Sequence, residues 1–287
     1  MIASAPGKLM LAGEYAVIEG GPAIMTAVDR RVVARAGKGE GALLEAVARV
    51  TASAREVVVD SSALHEGGLK LGLGSSAAAA VAATAFVLAA EHHELDRDEV
   101  HRLASQAHGD AQALRGARGS GADVAACTYG GVILFTRGAI EPFALPDQLR
   151  LVPFWTGAPA DTASLVARVM QAATPALLEP IAASARALVA SKSAQDAIAA
   201  LDAGADALDA LGRAASIDLL TPPVRALRKE LQRLGGTCKT CGAGGGDVAI
   251  AALPASADLE AVRALVQQVG ATPLGISVGA PGVEILR

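Results

Sequence analysis

Apolar and polar positions first change places in short runs and then give way to long stretches of a different period. Residues 2–16 read as a strand, a Pro6-Gly7 turn and a second strand from Leu9 to Ala12, and Gly20-Gly21-Pro22 makes another turn before the apolar stretch 23–28. Residues 31–36, 42–50 and 55–59 follow as strands of a β-rich N-terminal sheet, because β-branched residues recur between polar breaks. Residues 71–90 are then uncharged and dominated by alanine, behind a glycine-and-serine opening. Asp96 with Glu99 three residues on signals a helix start, and Val100, Leu103, Ala107, Ala111 and Leu114 carry that helix to about Arg115. A glycine loop at 116–121, the segment 122–126, a Gly130-Gly131 break and strands at 132–136 and 149–156 complete the first half.

From residue 158 to about 234 the pattern is helical with breaks at Pro175, Pro180 and Pro222-Pro223, which predicts two or three long helices. A second glycine-rich loop at 235–246, a strand at 248–253, a helix at 258–269 and a closing strand at 282–286 follow. The order predicts an α+β fold with an antiparallel sheet in the second half. At 287 residues the chain exceeds the usual single-domain size, and the composition shift divides it into 1–156 and 157–287.

Composition narrows the class. About half of the chain (52%) is hydrophobic but only 2% is aromatic, so the core is built from small, closely packed side chains. A net charge of −4 gives no footprint for nucleic acid or an anionic membrane, so any anionic substrate is held by local positive charge. The N-terminus has no secretion-signal layout, and residues 71–90, though of membrane-spanning length, open with two glycines and two serines and read as a buried helix. A cytoplasmic protein with no membrane partner is the expectation. Cys238-Lys239-Thr240-Cys241 has redox or zinc spacing without a second pair or a nearby histidine, and reads better as small residues entering a glycine loop.

Four stretches carry chemistry. Gly72-Leu73-Gly74-Ser75-Ser76-Ala77 turns into a helix, leaving unpaired N–H groups and the positive end of the helix dipole beside two hydroxyls, which is an anion site. It also satisfies the permissive dinucleotide fingerprint, with Glu91 and Glu94 at ribose distance. Against that, His65-Glu66-Gly67-Gly68 replaces the expected strand, no βα alternation follows, and no lysine makes it a Walker loop. Lys8 follows Pro6-Gly7 into an apolar strand, which fits either a pinned, partly desolvated cation or an exposed turn lysine. Asp123, after Arg118-Gly119-Ser120-Gly121-Ala122, is either a buried acid that needs a partner or a helix N-cap. Residues 239–247 are dense enough in glycine to let backbone approach a ligand.

In this order and spacing, the Pro6-Gly7-Lys8 segment, the Gly-Leu-Gly-Ser-Ser-Ala loop and the C-terminal glycine-rich loop resemble the three motifs of the GHMP kinase superfamily, and the match spans nearly the whole chain. Tyr15 after Gly13-Glu14, the segment from Gly119 to Val124 and Asp247 after the triple glycine are similar to phosphomevalonate kinases more than to mevalonate kinases. The resemblance implies a two-domain GHMP kinase fold, with a ribosomal-protein-S5-domain-2-like N-terminal domain and a ferredoxin-like C-terminal domain. ATP and a small-molecule acceptor, phosphomevalonate or alternatively mevalonate, would meet in a cleft between the two. A decarboxylase of the same superfamily could use the same loops.

Carried over residue by residue, the resemblance implies that Gly72, Leu73, Gly74, Ser75, Ser76 and Ala77 bind ATP, with Ser76 near Mg²⁺, and that Lys8 and Asp123 face the transferred phosphoryl group. Tyr15, Arg118, Ser120, Lys239, Gly242, Ala243, Gly244 and Gly245 would serve the acceptor side. Arg30 and Arg31 are weaker cationic candidates for an acceptor phosphate than Arg118 and Lys239. The glutamate that the superfamily's sugar and mevalonate kinases place on the preceding helix as a magnesium ligand is missing from His108-Gly109-Asp110-Ala111-Gln112, which leaves Asp110, Gln112 or the ATP phosphates with water to complete the metal's shell.

Overall fold

The computed structural model describes residues 1–92, 95–114, 116 and 119–286. Two compact units share the chain, and neither is one continuous run. Met1–Leu9, Met25–Pro142 and Ser277–Arg287 make the first, and Met10–Ile24 with Phe143–Ile276 the second.

In chain order the elements begin with β1 (Ile2–Ala12), β2 (Ala23–Ala36), α1 (Ala42–Val50), β3 (Val57–Asp60), β4 (His65–Glu66) and β5 (Leu69–Lys70). There follow α2 (Ser75–His92), α3 (Arg97–Ala113), α4 (Ala122–Tyr129), β6 (Val132–Thr136) and β7 (Ala139–Pro142). Then come β8 (Leu149–Trp155), α5 (Thr162–Ala172), α6 (Pro175–Ala190), α7 (Ala194–Ala215) and α8 (Pro222–Arg233). The chain closes with β9 (Thr237–Thr240), β10 (Val248–Pro254), α9 (Leu259–Gln268), β11 (Thr272–Pro273) and β12 (Glu284–Leu286).

One sheet runs β12-β1-β2-β6-β7 with β3 on β2, and the other runs β11-β8-β10-β9. The α+β architecture is therefore as the pattern predicts, but several elements differ. β1 is unbroken through Pro6 and Gly7. Pro6 lies past Ser4, the last β1 residue paired with β12, so its missing donor leaves no gap in that ladder. Gly7 serves close approach rather than a turn, since a Cβ there would sit 2.9 Å from the Leu73 carbonyl.

Residues 23–36 form one strand without a break. Residues 42–50 are a helix, because alanine, leucine, glutamate and arginine outweigh the two valines, and Ala46 and Val47 face inward. Four helices, not two or three, fill residues 162–233. The closing strand joins β1 in the first sheet rather than β10 in the second.

α2 is apolar on every side and buried accordingly: Ala77, Ala78, Val81, Ala85 and Val87 are all 0–1% exposed. Helices α1, α3 and α4 pack around it, and its small side chains let them come close. α3 starts where the sequence predicts, with the Asp96 carboxylate accepting from the Asp98 and Glu99 amides. In the second unit Phe154, Leu208, Leu211, Leu227, Leu231 and Val266 centre a core between the sheet and its helices. There α7 is opened by a full capping box between Ser193 and Asp196.

Arg31 fastens the C-terminal strand to the first sheet. Its guanidinium donates to the Ser4 hydroxyl (2.6 Å) and to the carbonyls of Ser4 (2.9 Å), Pro281 (2.9 Å) and Gly282 (2.7 Å), and pairs with Glu284. That arrangement withdraws it from a role toward substrate. Replacing Arg31 by methionine should lower unfolding free energy by on the order of 3 kcal/mol in urea titration, since several charge-assisted bonds go at once. A loss under about 0.5 kcal/mol, the range of an ordinary surface substitution, would show that β12 is held by its ladder alone.

Candidate active site

The first unit brings the glycine-serine loop and Lys8 together through backbone. The Lys8 amide donates to the Leu73 carbonyl at 2.9 Å, and Leu71 and Leu73 are buried, which anchors the loop against β1. Gly72 and Gly74 have φ of 78° and 75°, values that L side chains rarely adopt. Gly74 is also a contact surface, since a Cβ there would lie 2.5–3.2 Å from the stem carbons of Lys8. The loop feeds α2, whose first full-turn bond runs from the Ala78 amide to the Gly74 carbonyl, so the amides of Ser75, Ser76 and Ala77 have no helical acceptor. Ser76 is exposed and Ser75 half-buried at this end, beside the positive pole of α2.

Lys8 crosses Gly74 and ends 3.3 Å from the Asp123 carboxylate, with the lysine side chain 10% and the aspartate 38% exposed. Asp123 lies in the first turn of α4, and its predicted alternative as N-cap does not hold. Gly121 is the cap residue, and the Ser120 hydroxyl accepts from the Ala122 amide at 3.3 Å. Two further groups feel this pair. His108 on α3 is buried, and desolvation holds its pKa below 6.5, with Asp123 raising it and Lys8 lowering it. The Cys127 thiol on α4 is fully buried, which keeps it protonated at neutral pH.

Asp110 pairs with Arg49 at 3.0 Å, and the Gln112 amide sits where a Gly119 side chain would be. In the same unit an open cavity of about 730 Å³, lined by Arg35, Asp60, Ser61, Ser62, His65 and Gly67, adjoins the β4–β5 hairpin that leads into residues 71–74.

The second unit holds the other glycine-rich loop. Gly244 and Gly246 approach this chain's own backbone, because a Cβ at either would stand 2.7 Å from the Leu219 carbonyl or 2.6 Å from that of Ala158. Gly242, with φ of 92°, has nothing within 4 Å of its Cβ position and is the open one. Lys239 is 1% exposed, and its ammonium is bound by the Glu14 carboxylate and, at 2.8 Å, the Thr240 carbonyl. As an accessible cation for an acceptor phosphate, Lys239 is therefore corrected. Tyr15 is likewise buried, with its hydroxyl donating to the Ala243 carbonyl.

Of the predicted residues the first unit assembles Lys8, Asp123, Ser120 and 72–77, and the second unit assembles Tyr15, Lys239 and 242–245. Arg118 lies outside the described residues, and Arg30 pairs with Glu66 at 3.2 Å. Sequence reasoning assigned nothing to His108 or Glu14. His108 gave no signal, whereas Glu14, an acid amid apolar neighbours next to Gly13, called for a buried cation. Among the described residues no group of three or more His, Cys, Asp or Glu could hold a metal. No described helix is long and apolar enough to cross a membrane.

Comparison with known proteins bears on the family and the fold. Residues 32–131 match the GHMP kinases N terminal domain, and residues 187–272 the GHMP kinases C terminal domain. The chain is 30% identical to the phosphomevalonate kinase of Streptomyces sp. (strain CL190), over 99% of this chain and 98% of that one. It is 29% identical to the mevalonate kinase of Archaeoglobus fulgidus, over 86% and 90%. Its fold superposes with a TM-score of 0.85 on Streptococcus pneumoniae phosphomevalonate kinase in complex with phosphomevalonate and AMPPNP, at 20% identity over 97% and 99% of the two chains.

Because burial depresses the His108 pKa, the folded chain holds this ring neutral while the unfolded chain protonates it near 6.5. The resulting stability is present above pH 6.5 and is lost as pH falls below it toward the folded value. Urea unfolding at pH 7.5 and 5.5, without metal or nucleotide, should show a larger acid loss for the natural chain than for His108→Gln. Equal losses would mean that His108 titrates as freely folded as unfolded.

Proposed function

We propose that this chain, which belongs to the GHMP kinases and is thus a small-molecule kinase, transfers the terminal phosphoryl group of ATP to phosphomevalonate, giving mevalonate diphosphate. The observation that carries the reading is the Lys8–Asp123 pair at 3.3 Å, with the lysine stem laid over Gly74 at the open N-terminus of α2. Amides at the start of α2 and the hydroxyls of Ser75 and Ser76 suit the nucleotide's phosphates, and the neighbouring cavity, with an acid and two hydroxyls on its wall, suits its nucleoside.

Phosphoryl transfer asks the protein mainly for positioning and for charge to offset that on the moving group. Lys8 supplies that charge from a fixed direction. A phosphate monoester, whose second pKa is about 6, is already mostly a dianion at neutral pH and needs no base. In this reaction Asp123 orients Lys8, and Lys8 offsets the repulsion between two anions. Mg²⁺, when bound, would neutralise charge on the nucleotide's phosphates. Mg²⁺ is commonly held by one or two carboxylates, substrate phosphates and water, and the exposed Ser76 hydroxyl and half-exposed Asp123 carboxylate fit that mode without a dedicated acid cage.

A second reading, mevalonate as acceptor, is favoured by one feature. A carboxylate 38% exposed beside a buried lysine is also how a base for a hydroxyl would be placed. The similarity to mevalonate kinases supports it as well.

An ATP-consumption assay with phosphomevalonate, mevalonate and mevalonate diphosphate, with carbon dioxide release followed in parallel, decides the acceptor. Turnover should be fastest with phosphomevalonate, and preference for mevalonate or release of carbon dioxide would overturn the reading. On phosphomevalonate, Lys8→Met should lower kcat by on the order of 10²–10³, the range for a lost charge stabiliser. Asp123→Asn should cost clearly less. The reverse order would make Asp123 a base and favour the hydroxyl acceptor.

A further inference from the structure

Tyr15 has φ of 61° and ψ of −46°, and the Ala16 amide donates to the Glu14 carbonyl at 2.6 Å. This is a γ-turn of positive φ, a rare and strained backbone state for a tyrosine. It persists because its surroundings fix it. Gly13, with φ of 92°, packs so tightly that a Cβ would stand 2.1 Å from the Pro22 carbonyl, and the Val17 amide closes back on the Gly13 carbonyl at 3.0 Å.

The turn sends two adjacent side chains to the same distant segment. Glu14 binds the Lys239 ammonium at the end of β9, and the Tyr15 hydroxyl binds the Ala243 carbonyl four residues on. Gly204 on α7, 3.8 Å from the Lys239 stem at its Cβ position, leaves room for the lysine to run inward. All of these groups belong to the second unit. Between the two anchor points lies Gly242, whose Cβ position meets nothing.

We propose that the Glu14–Tyr15 turn is a strut that sets the position of residues 241–246, and that Glu14 and Tyr15 are positioning residues that act on the acceptor through this loop rather than by touching it. Their action on the acceptor rests on the kinase reading given above; the strut itself does not. The Cys241 amide donates to the Val248 carbonyl and the Gly245 amide to the Leu219 carbonyl, but the glycine-rich part between them would still have conformations to lose on binding, and the bonds from one rigid turn reduce that freedom beforehand.

Two measurements on the full chain test this. Hydrogen exchange of the peptide covering 241–246, without ligands, should quicken about three- to tenfold in Tyr15→Phe, the effect of one lost hydrogen bond, with β9 and β10 unchanged. The paired change Glu14→Gln with Lys239→Met, which removes the other bond without stranding a charge, should quicken the same peptide. No local change, or a uniform rise across the second unit, would overturn the strut. In kinetics, Tyr15→Phe should raise the acceptor KM severalfold, with kcat within about twofold and the KM for ATP unchanged. A fall in kcat at unchanged acceptor KM would overturn its action on the acceptor. If the natural chain turned over none of the three acceptors, the substrate assignment would fall while exchange still decided the strut.

Discussion

The hydrogen bond from the Lys8 amide to the Leu73 carbonyl is the constraint on which the rest of the first site depends. It fixes the separation between a strand and a glycine loop at 2.9 Å, closer than any side chain between them would allow. Gly7 and Gly74 are the two residues that clear that space. β1 is buried at every position from Ala3 to Ala12, so the Lys8 Cα cannot drift. The stem then has one route, over Gly74, and it delivers the ammonium to Asp123 at the start of another helix. The position of the charge is thereby set by sheet and loop backbone rather than by a flexible four-carbon chain, which is what a site working through preorganised charge requires.

Both glycine loops hold glycines at positive φ, but what the missing side chains make room for differs. In the first, Gly72 and Gly74 take positive φ, and Gly74 admits a lysine from the same unit. In the second, Gly244 and Gly246 admit the chain's own carbonyls at Leu219 and Ala158, and of the four glycines from 242 to 246 Gly242 has the empty Cβ position. Glycine density by itself therefore does not measure how much of a loop a ligand can approach.

This difference explains what was legible in the sequence. The open amide start of α2, the pairing need of Asp123 and the α+β order could be read, because each follows from local chemistry: dipole and amides, the cost of an unpaired acid, the period of apolar residues. Asp96 marked the start of α3 for the same reason. The misreadings at Pro6-Gly7 and at 42–50 have another origin. Gly7 looks like a turn residue unless the Leu73 carbonyl is known to lie against it, and α1 is short enough that two valines obscure its helix formers. Lys239 and Tyr15 were both assigned to an acceptor, but their burial depends on Glu14 and on the Ala243 carbonyl, partners more than 200 positions away in sequence. No pattern along the chain encodes such a distance.

Among the described residues two lysines pair with carboxylates, and burial decides what each pair can do. Breaking the Glu14–Lys239 pair would leave a charge 1–2% exposed without a partner, a penalty of about 3–5 kcal/mol for removing one member of such a pair. A ligand phosphate would have to recover that whole amount before binding Lys239 showed any gain. The Lys8–Asp123 pair differs because its acid is 38% exposed. Asp123 can exchange lysine for water or a cation at little cost, since solvent already screens it. Lys8 keeps its one direction over Gly74 while the far side of its partner stays open to solvent. A lysine paired with a carboxylate therefore makes a closed strut where both are enclosed and a pair open to water on its acid side where one is not, and the second arrangement is the one that lies at the open end of a helix.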